Sequence, residues 1–574
     1  MVSRGCFSVG LLAGLVGLSL VGSAFAADVV HDAEYYILEA QHRDAWKIED
    51  GELDSKLAEL RTKYGTPPNI VHIMWDDTSF GDVGIPAISK IRGFNAPSIE
   101  RMAQEGILFT RMYSEVGCTP SRAAVVTGRL AVRSSTYDIG FPLHNEGLGS
   151  KEVTMAEVLS EAGYATAFYG KWHLGDIEES YPHNQGFDEA LFTPYNQVSS
   201  IQNQIGEGAN AVIGMREEML QPDPYKLDDT VLPHGWVQVI EGKKGALGRE
   251  WGTTDLETFN KVDPESHKRT LAFIRKNAAA KKPFYVAYWP NMTAFIPNPK
   301  KVTESRSLYA DGFTVNVDAF IGRVMDQLKE LGLAENTLVV TMADNGPMAH
   351  NPPPGLGMTE TIFRGGKGDF LEGGVRVPAF AWWPGVIEPG QIVGDIIHET
   401  DLYTTFARLA GATGGIPTDR VVDGVDQTAL LLNGDTHGRR DSVFIYAGPN
   451  LGAVVKGNYK KHVISSDSTA GSGIAAQYFF LLHDTREKSP MLTTLLHYKG
   501  AFNRMQARHE LWKQKYPDSP PARGPAFTGL ANARPETQAL SKAPINMKDL
   551  PFDPLQYLEY DPPFDPNGDP DWGG

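Results

Sequence analysis

Short apolar runs rich in β-branched residues alternate along this chain with longer stretches whose apolar residues recur at helical spacing. The runs are Asn69 to Trp75, Gly106 to Tyr113, Tyr164 to Tyr169, Pro283 to Trp289 and Thr337 to Met342. Each has the length and composition of a strand buried on both faces. Between them, Pro97 to Gly106, Val153 to Gly163, Pro264 to Asn277 and Val315 to Leu331 carry helical periodicity, and the first two close on glycine. This alternation predicts an α/β fold, a large domain with a mixed, mostly parallel sheet flanked by helices. Farther on, Val443 to Tyr446, Gly452 to Lys456 and Lys460 to Ser465 read as a small antiparallel sheet in a smaller C-terminal domain.

The ends of the chain have their own character. Arg4, an apolar stretch from Leu11 to Val21 and the small-x-small triplet Ala24-Phe25-Ala26 compose an export signal over residues 1–26. The expected location is therefore periplasmic or secreted, with no membrane anchor after cleavage. Residues 27–65 form a polar N-terminal arm, helical in pattern, that stops at the break Thr66-Pro67-Pro68. The main domain is expected over 66–383, with an insertion at 195–252 that matches no familiar pattern. Residues 384–516 supply the remainder of the core and the smaller domain, and 517–574 form a tail dense in Pro, Asp and Gly. A net charge of −17 with no basic block to offset it excludes nucleic acid as a partner.

In such sheets the chemistry collects where the strands end. Asp76 and Asp77 close one strand, and Asp344 and Asn345 close another. Three carboxylates and an amide oxygen at converging strand ends offer hard ligands, which suit Ca²⁺ or Mg²⁺ and not zinc. Lys171 and His173 follow a third strand. Lys367 lies in a glycine-rich stretch, Gly365 to Gly374, which has neither the first glycine nor the Ser/Thr of a nucleotide phosphate loop, Thr361 and Gly368 standing there. A glycine-rich surface turn remains the other reading of that stretch. The chain has two cysteines, and Cys6 lies in the export signal, so Cys118 is left without a partner. Pro120 fixes a turn beside it, and Arg122 places a permanent cation near the sulfur.

Cys118-Thr119-Pro120-Ser121-Arg122, continued to Thr127-Gly128, resembles the signature of type I, formylglycine-dependent sulfatases, of the alkaline-phosphatase-like superfamily, and includes each of its fixed positions. Gly163 to His173 resembles the family's second signature, and Gly365 to Pro378 its G-K-G-x-x-x-E-G-G-x-R-x-P loop. The resemblance spans roughly 66–465. It implies a sulfuric ester hydrolase, arylsulfatase-like, acting on an aryl sulfate or a sulfated carbohydrate. It implies that a formylglycine-generating enzyme converts Cys118 to 3-oxoalanine during maturation, and that the hydrate of that aldehyde is the nucleophile. Asp76, Asp77, Asp344, Asn345 and the modified Cys118 are then the ligands of one Ca²⁺ per subunit. Arg122, Lys171 and Lys367 surround the sulfate, and His173 orients or deprotonates the diol.

A sulfate ester spreads negative charge over three oxygens, and its hydrolysis needs an in-line nucleophile, cations around those oxygens and an acid for the departing one. One feature departs from the family. Its members usually place a histidine near the leaving group after the strand corresponding to Pro283–Trp289, but here Ala294 and its neighbours follow and no histidine occurs between His267 and His350. Lys367, Asn291 or a histidine from elsewhere could cover that role. The departure also keeps two alternatives in view: a phosphodiester or phosphonate monoester hydrolase of the same superfamily, and a non-catalytic calcium-binding homologue.

Overall fold

The computed structural model describes residues 29–140, 146–195, 239–252, 256–291, 293, 308–347, 362–464, 477–491 and 495–523. The stretch expected as an export signal, most of the 195–252 insertion, Ala294 with the residues that follow it to 307, and the tail beyond 523 lie outside them.

Seventeen strands follow one another along the described chain. They are β1 (Asn69–Trp75), β2 (Ile107–Tyr113), β3 (Glu146–Gly147), β4 (Ala165–Lys171), β5 (Glu189–Thr193), β6 (Ile240–Lys243), β7 (Arg249–Glu250), β8 (Phe284–Trp289) and β9 (Thr337–Ala343). After these come β10 (Arg376–Trp382), β11 (Gln391–Val393), β12 (Ile397–His398), β13 (Ser442–Ala447), β14 (Asn450–Lys456), β15 (Tyr459–His462), β16 (Gln477–Phe480) and β17 (Ala522–Arg523). An eleven-stranded sheet runs β11-β2-β10-β9-β1-β8-β4-β5-β6-β7, with β12 also on β2. Its centre is parallel: β1 pairs with β8 and β9, and β4 with β5 and β8. Every residue of β1, β4, β8 and β9 is buried, as the unbroken apolar runs require. β10 runs antiparallel between β2 and β9 and makes the sheet mixed. Sequence pattern reads this segment as the end of a glycine loop, because the strand follows Gly373-Gly374 without a turn signal of its own.

Helices cover the sheet. They include α1 (Ala33–Tyr64), α2 (Pro97–Glu105), α3 (Cys118–Thr127), α4 (Met155–Glu161), α5 (Leu256–Ala280), α6 (Ala319–Glu330), α7 (Asp401–Ala410) and α8 (Leu495–Lys515). The arm is one 32-residue helix, capped by Gly65 in the left-handed region. Its Asp50 and Asp54 pair with Arg408 of α7. Among the described residues, no helix is long and apolar enough to cross a membrane.

Two helices differ from their expected limits. α5 begins ahead of Pro264, which sits inside it. Burial of Val262, Phe273 and Ile274 outweighs the donor that proline removes. The helix expected from Val315 begins at Leu308 and passes through a π-helical turn, Thr314–Asp318, before α6. That turn presents the Asp318 carboxylate to the backbone N–H groups of Ser98 and Ile99, at 3.1 and 2.9 Å. It thereby caps α2, which has no side-chain cap of its own.

β13 to β16 form the separate antiparallel sheet. Sequence pattern identifies its first three strands and misses β16. A buried ionic network docks this sheet on the large one. Lys460 Nζ lies 3.0 Å from both Glu372 Oε1 and Glu487 Oε1, and all three side chains are fully buried. Tyr113 donates to Glu372 Oε2 at 3.0 Å, His462 Nε2 meets Glu487 Oε1 at 2.7 Å, and the Glu372 backbone N–H donates to Glu487 Oε2 at 2.7 Å.

Candidate active site

The ends of β1, β4 and β9 and the start of α3 converge on one buried cluster. Asp76 and Asp77 follow β1, Asp344 and Asn345 follow β9, and Lys171 ends β4. β1 and β9 are in register from Asn69↔Thr337 to Trp75↔Ala343, so the acidic pairs emerge side by side. The Asp77 N–H donates to Asp344 Oδ1 at 3.2 Å, with Asp77 itself held at φ 53°.

Cys118 is the first residue of α3 and is fully buried. A helix start favours negative charge there. Arg122 stands one turn along, on the same face. Its Nη2 reaches Asp76 Oδ1 at 2.6 Å and Asp344 Oδ2 at 3.0 Å, and its Nη1 donates to the Lys171 carbonyl at 2.5 Å. The guanidinium lies 5.2 Å over the Trp289 ring. Lys171 Nζ sits 2.5 Å from Asp76 Oδ2, and Lys367 Nζ 2.8 Å from Asp77 Oδ1.

The glycine-rich stretch is therefore no surface turn. Lys367 N–H donates to the Pro347 carbonyl at 2.7 Å and Gly368 N–H to Val116 at 2.6 Å, which fastens the loop across the cluster. Gly346 accepts no side chain at this crossing: a Cβ there would lie 1.8 Å from the Gly373 carbonyl oxygen. Gly170, at φ 113°, is equally constrained, 1.7 Å from the Trp289 carbonyl oxygen.

His173 takes φ 59°, a strained choice for a residue with a Cβ. Its Nε2 lies 2.9 Å from the Gly140 carbonyl oxygen, which assigns the ring proton to Nε2. Nδ1 is buried and has no hydrogen-bond partner. Burial, then the charges of Lys171 and Arg122, hold the imidazole well below its ordinary pKa, so it is neutral.

The acids diverge. Burial pushes Asp76 upward, but Lys171 and Arg122 outweigh it and hold the carboxyl well below the usual range. Burial and the charge of Asp76 push Asp344 well above it, against Arg122. Burial works against the charge of Lys367, yet Asp77 and Cys118 hold its pKa up. Cys118 lies near enough to act electrostatically on both Arg122 and Lys367.

The donor set suits a hard cation. The Asn345 amide spends its Nδ2 on Asp77 Oδ1 at 2.7 Å and on the Gly346 carbonyl at 2.8 Å, which leaves Oδ1 buried with no partner. Burial and the charge of Asp76 drive Asp344 toward its neutral form. An orphaned oxygen and crowded carboxylates fit a divalent ion bound by oxygen. Among the described residues no three His, Cys, Asp or Glu side chains already close on a common point as a metal shell.

The structure thus brings together Asp76, Asp77, Cys118, Arg122, Lys171, His173, Asp344, Asn345 and Lys367. Sequence reasoning missed their supports. Thr293 Oγ1 accepts the Asp76 N–H at 2.8 Å, Ser121 Oγ donates to the Asp344 carbonyl at 2.6 Å, and Gly140 orients His173. Ser121 was legible as a fixed position of the cysteine signature; Thr293 and Gly140 carry no local signal. Asn291 is fully buried, its Oδ1 accepting from Thr193 Oγ1 at 2.6 Å. A cavity of about 430 Å³ opens beside Thr119 and His173. The larger cleft of about 920 Å³ between α1 and α7 contains none of these residues.

Known proteins resemble this chain. The Sulfatase family model matches residues 68–412. N-acetylgalactosamine-6-sulfatase of Canis lupus familiaris is 33% identical over 410 residues, covering 69% of this chain and 72% of its own. Steryl-sulfatase of Rattus norvegicus is 30% identical over 561 residues, covering 86% and 93%. The crystal structure of PsFucS1 sulfatase from Pseudoalteromonas sp. superposes with a TM-score of 0.70 at 31% identity, covering 83% of this chain and 96% of that one. With the fold, the cationic cluster and these relatives in agreement, the chain belongs to the sulfatase family, of the alkaline-phosphatase-like superfamily, and hydrolyses sulfuric esters.

Proposed function

We propose that this protein is an exported sulfatase that uses Cys118, converted to formylglycine, as its nucleophile and one calcium ion as its electrophilic partner. The observation that carries this reading is the Cys118 position: fully buried at a helix start, and near enough to Arg122 and Lys367 to act on both cations.

Asp76, Asp77, Asp344 and Asn345 would hold the ion. When bound, it supplies Lewis acidity and offsets the acids that now hold the three cations. Residue 118 would carry the formylglycine, whose hydrate would supply the nucleophilic hydroxyl and a second hydroxyl for release of sulfate. This chain's own residues do the rest. Arg122 braces Asp76 and Asp344 and keeps the Cys118 helix against them. Lys171 and Lys367 offer ammonium groups to the sulfate oxygens. His173, neutral and with Nδ1 unpartnered, accepts a proton from the nucleophile side, while the Gly140 carbonyl holds its tautomer.

The test is direct. An aldehyde-reactive probe should label residue 118 of active protein, and Cys118→Ala should abolish aryl sulfate turnover with the fold retained. Full activity in Cys118→Ala would reject the mechanism.

A further inference from the structure

The His173 ring depends on one hydrogen bond. It is fully buried two residues past β4, on a backbone at φ 59°, and its Nδ1 has no partner. Nε2 alone is held, 2.9 Å from the Gly140 carbonyl oxygen. A base whose ring is free to turn loses the aim of its lone pair, so whatever fixes Gly140 fixes the base.

Gly140 is held by the helix that carries Cys118. Its N–H donates to Thr119 Oγ1 at 3.0 Å, across 21 positions of chain. Thr119 is the second residue of α3, directly after Cys118. The residue before Gly140 is seated on the same helix start. A Cβ added at Gly117 would lie 3.8 Å from Ile139 Cγ1, so Ile139 stands against the turn that opens α3. A Cβ at Gly140 would sit 3.7 Å from Thr119 Oγ1 and 3.8 Å from His173 Cδ2, which places this segment between the two side chains.

Thr119, Gly140 and His173 all line the cavity of about 430 Å³, together with the 518–523 segment, whose β17 pairs with β3. The link therefore borders the open space of the site. The second position of the cysteine signature is unfixed, so the signature assigns Thr119 no role.

Resting on the reading of His173 as the base, we infer that Thr119 is a positioning residue: through Gly140 it ties the imidazole to the helix that carries residue 118. Nucleophile and base then keep one separation, and the Nδ1 lone pair keeps its aim. Removing the Thr119 oxygen leaves the Gly140 N–H without its acceptor and lets the ring turn. Lys171 and Lys367 are untouched, so the loss should fall on kcat and spare KM.

The experiment uses the full chain co-expressed with a formylglycine-generating enzyme, with added calcium and 4-nitrophenyl sulfate as substrate. Turnover is divided by the aldehyde content of the residue-118 peptide, read by mass spectrometry, so that altered modification does not enter. Thr119→Val keeps the shape and loses the hydroxyl; kcat should fall about tenfold or more, with KM within about twofold. Thr119→Ala removes the same oxygen with no methyl to misplace, and should match it. Thr119→Ser should return kcat to within about threefold of the unmodified sequence. In a His173→Ala background, Thr119→Val should cost less than about twofold more, because the group it positions is gone. Undiminished kcat per aldehyde in either the valine or the alanine variant would overturn the inference. So would a serine variant as slow as the valine one, or an equal valine loss with His173 already removed. In each of these cases turnover by the unsubstituted enzyme keeps the catalytic reading alive. An active unsubstituted chain with no aldehyde at 118 would overturn both.

Discussion

Two buried ionic clusters lie close together in this molecule, and they are built on opposite plans. Around Lys460, both oxygens of Glu372 and both oxygens of Glu487 have donors, and the network closes on itself except for His462 Nδ1. Burial opposes the Glu487 charge, but Lys460 and His462 bring its pKa down to about 2. Around Asp76, by contrast, Asn345 Oδ1, His173 Nδ1 and Arg122 Nε are buried without partners, and Asp344 is driven away from its charged form. A cluster that serves structure satisfies its own atoms. A cluster that serves chemistry keeps atoms in reserve for an ion, a nucleophile and a substrate. The two are joined through one loop, since Glu372 lies five residues beyond Lys367.

The largest contrast should come from Asp344→Ala. In the calcium-loaded enzyme, activity should fall by about a thousandfold or more, and the thermal midpoint should lose its dependence on added calcium. A chelated wild-type protein with unchanged activity and midpoint would break the comparison. Next is Lys460→Met, which leaves Glu372 and Glu487 facing each other. Urea unfolding should show a loss of about 3–5 kcal/mol. A neutral outcome would mean the closed network does not hold the small sheet.

Lys367→Ala should act on chemistry rather than stability. With no histidine between β8 and His350, Lys367 is the cation to which a departing oxygen would turn. A series of aryl sulfates of graded phenol acidity should show a steep dependence, steeper in the variant, with losses of about a hundredfold on the poorest leaving groups. A flat dependence in the unmodified enzyme, with chemistry rate-limiting, assigns the proton to another residue.

The smallest effect concerns Glu115, three residues ahead of Cys118. Burial raises its pKa to about 8, against the hydrogen bond from the Ala131 N–H, with Asp423 adding to the rise. Its folded pKa lies above its unfolded value, so the folded state keeps a proton that the unfolded state releases. Stability should therefore fall as pH climbs from about 4.5 to 8. Glu115→Gln should remove that slope, which thermal unfolding followed against pH would read. An unchanged pH profile would show that this acid is not held protonated.

The parallel centre of the fold was legible because β1, β4, β8 and β9 are buried on both faces and advertise it as unbroken apolar runs. The acids and Lys171 of the candidate site were legible because they stand directly at those strand ends, while Arg122 and Lys367 were legible through the motifs around them. What stayed hidden is whatever depends on distant partners. β10 has no turn signal, the π turn before α6 exists to cap α2 through Asp318, and Thr293 and Gly140 act through single contacts that local pattern does not announce. The cavity wall at 518–523 is the extreme case, since nothing in that segment indicates that it returns to β3.

The burial of Cys118 also fixes an order of events in the life of the chain. All ten residues of α3 are enclosed, and the sulfur has no exposed surface. On the proposed function, an enzyme that oxidises this side chain would have to reach it before α3 docks against Asp76 and Asp344. A copy that folded with a thiol at 118 would then stay inactive, and the share of competent molecules would be set by a race between modification and folding.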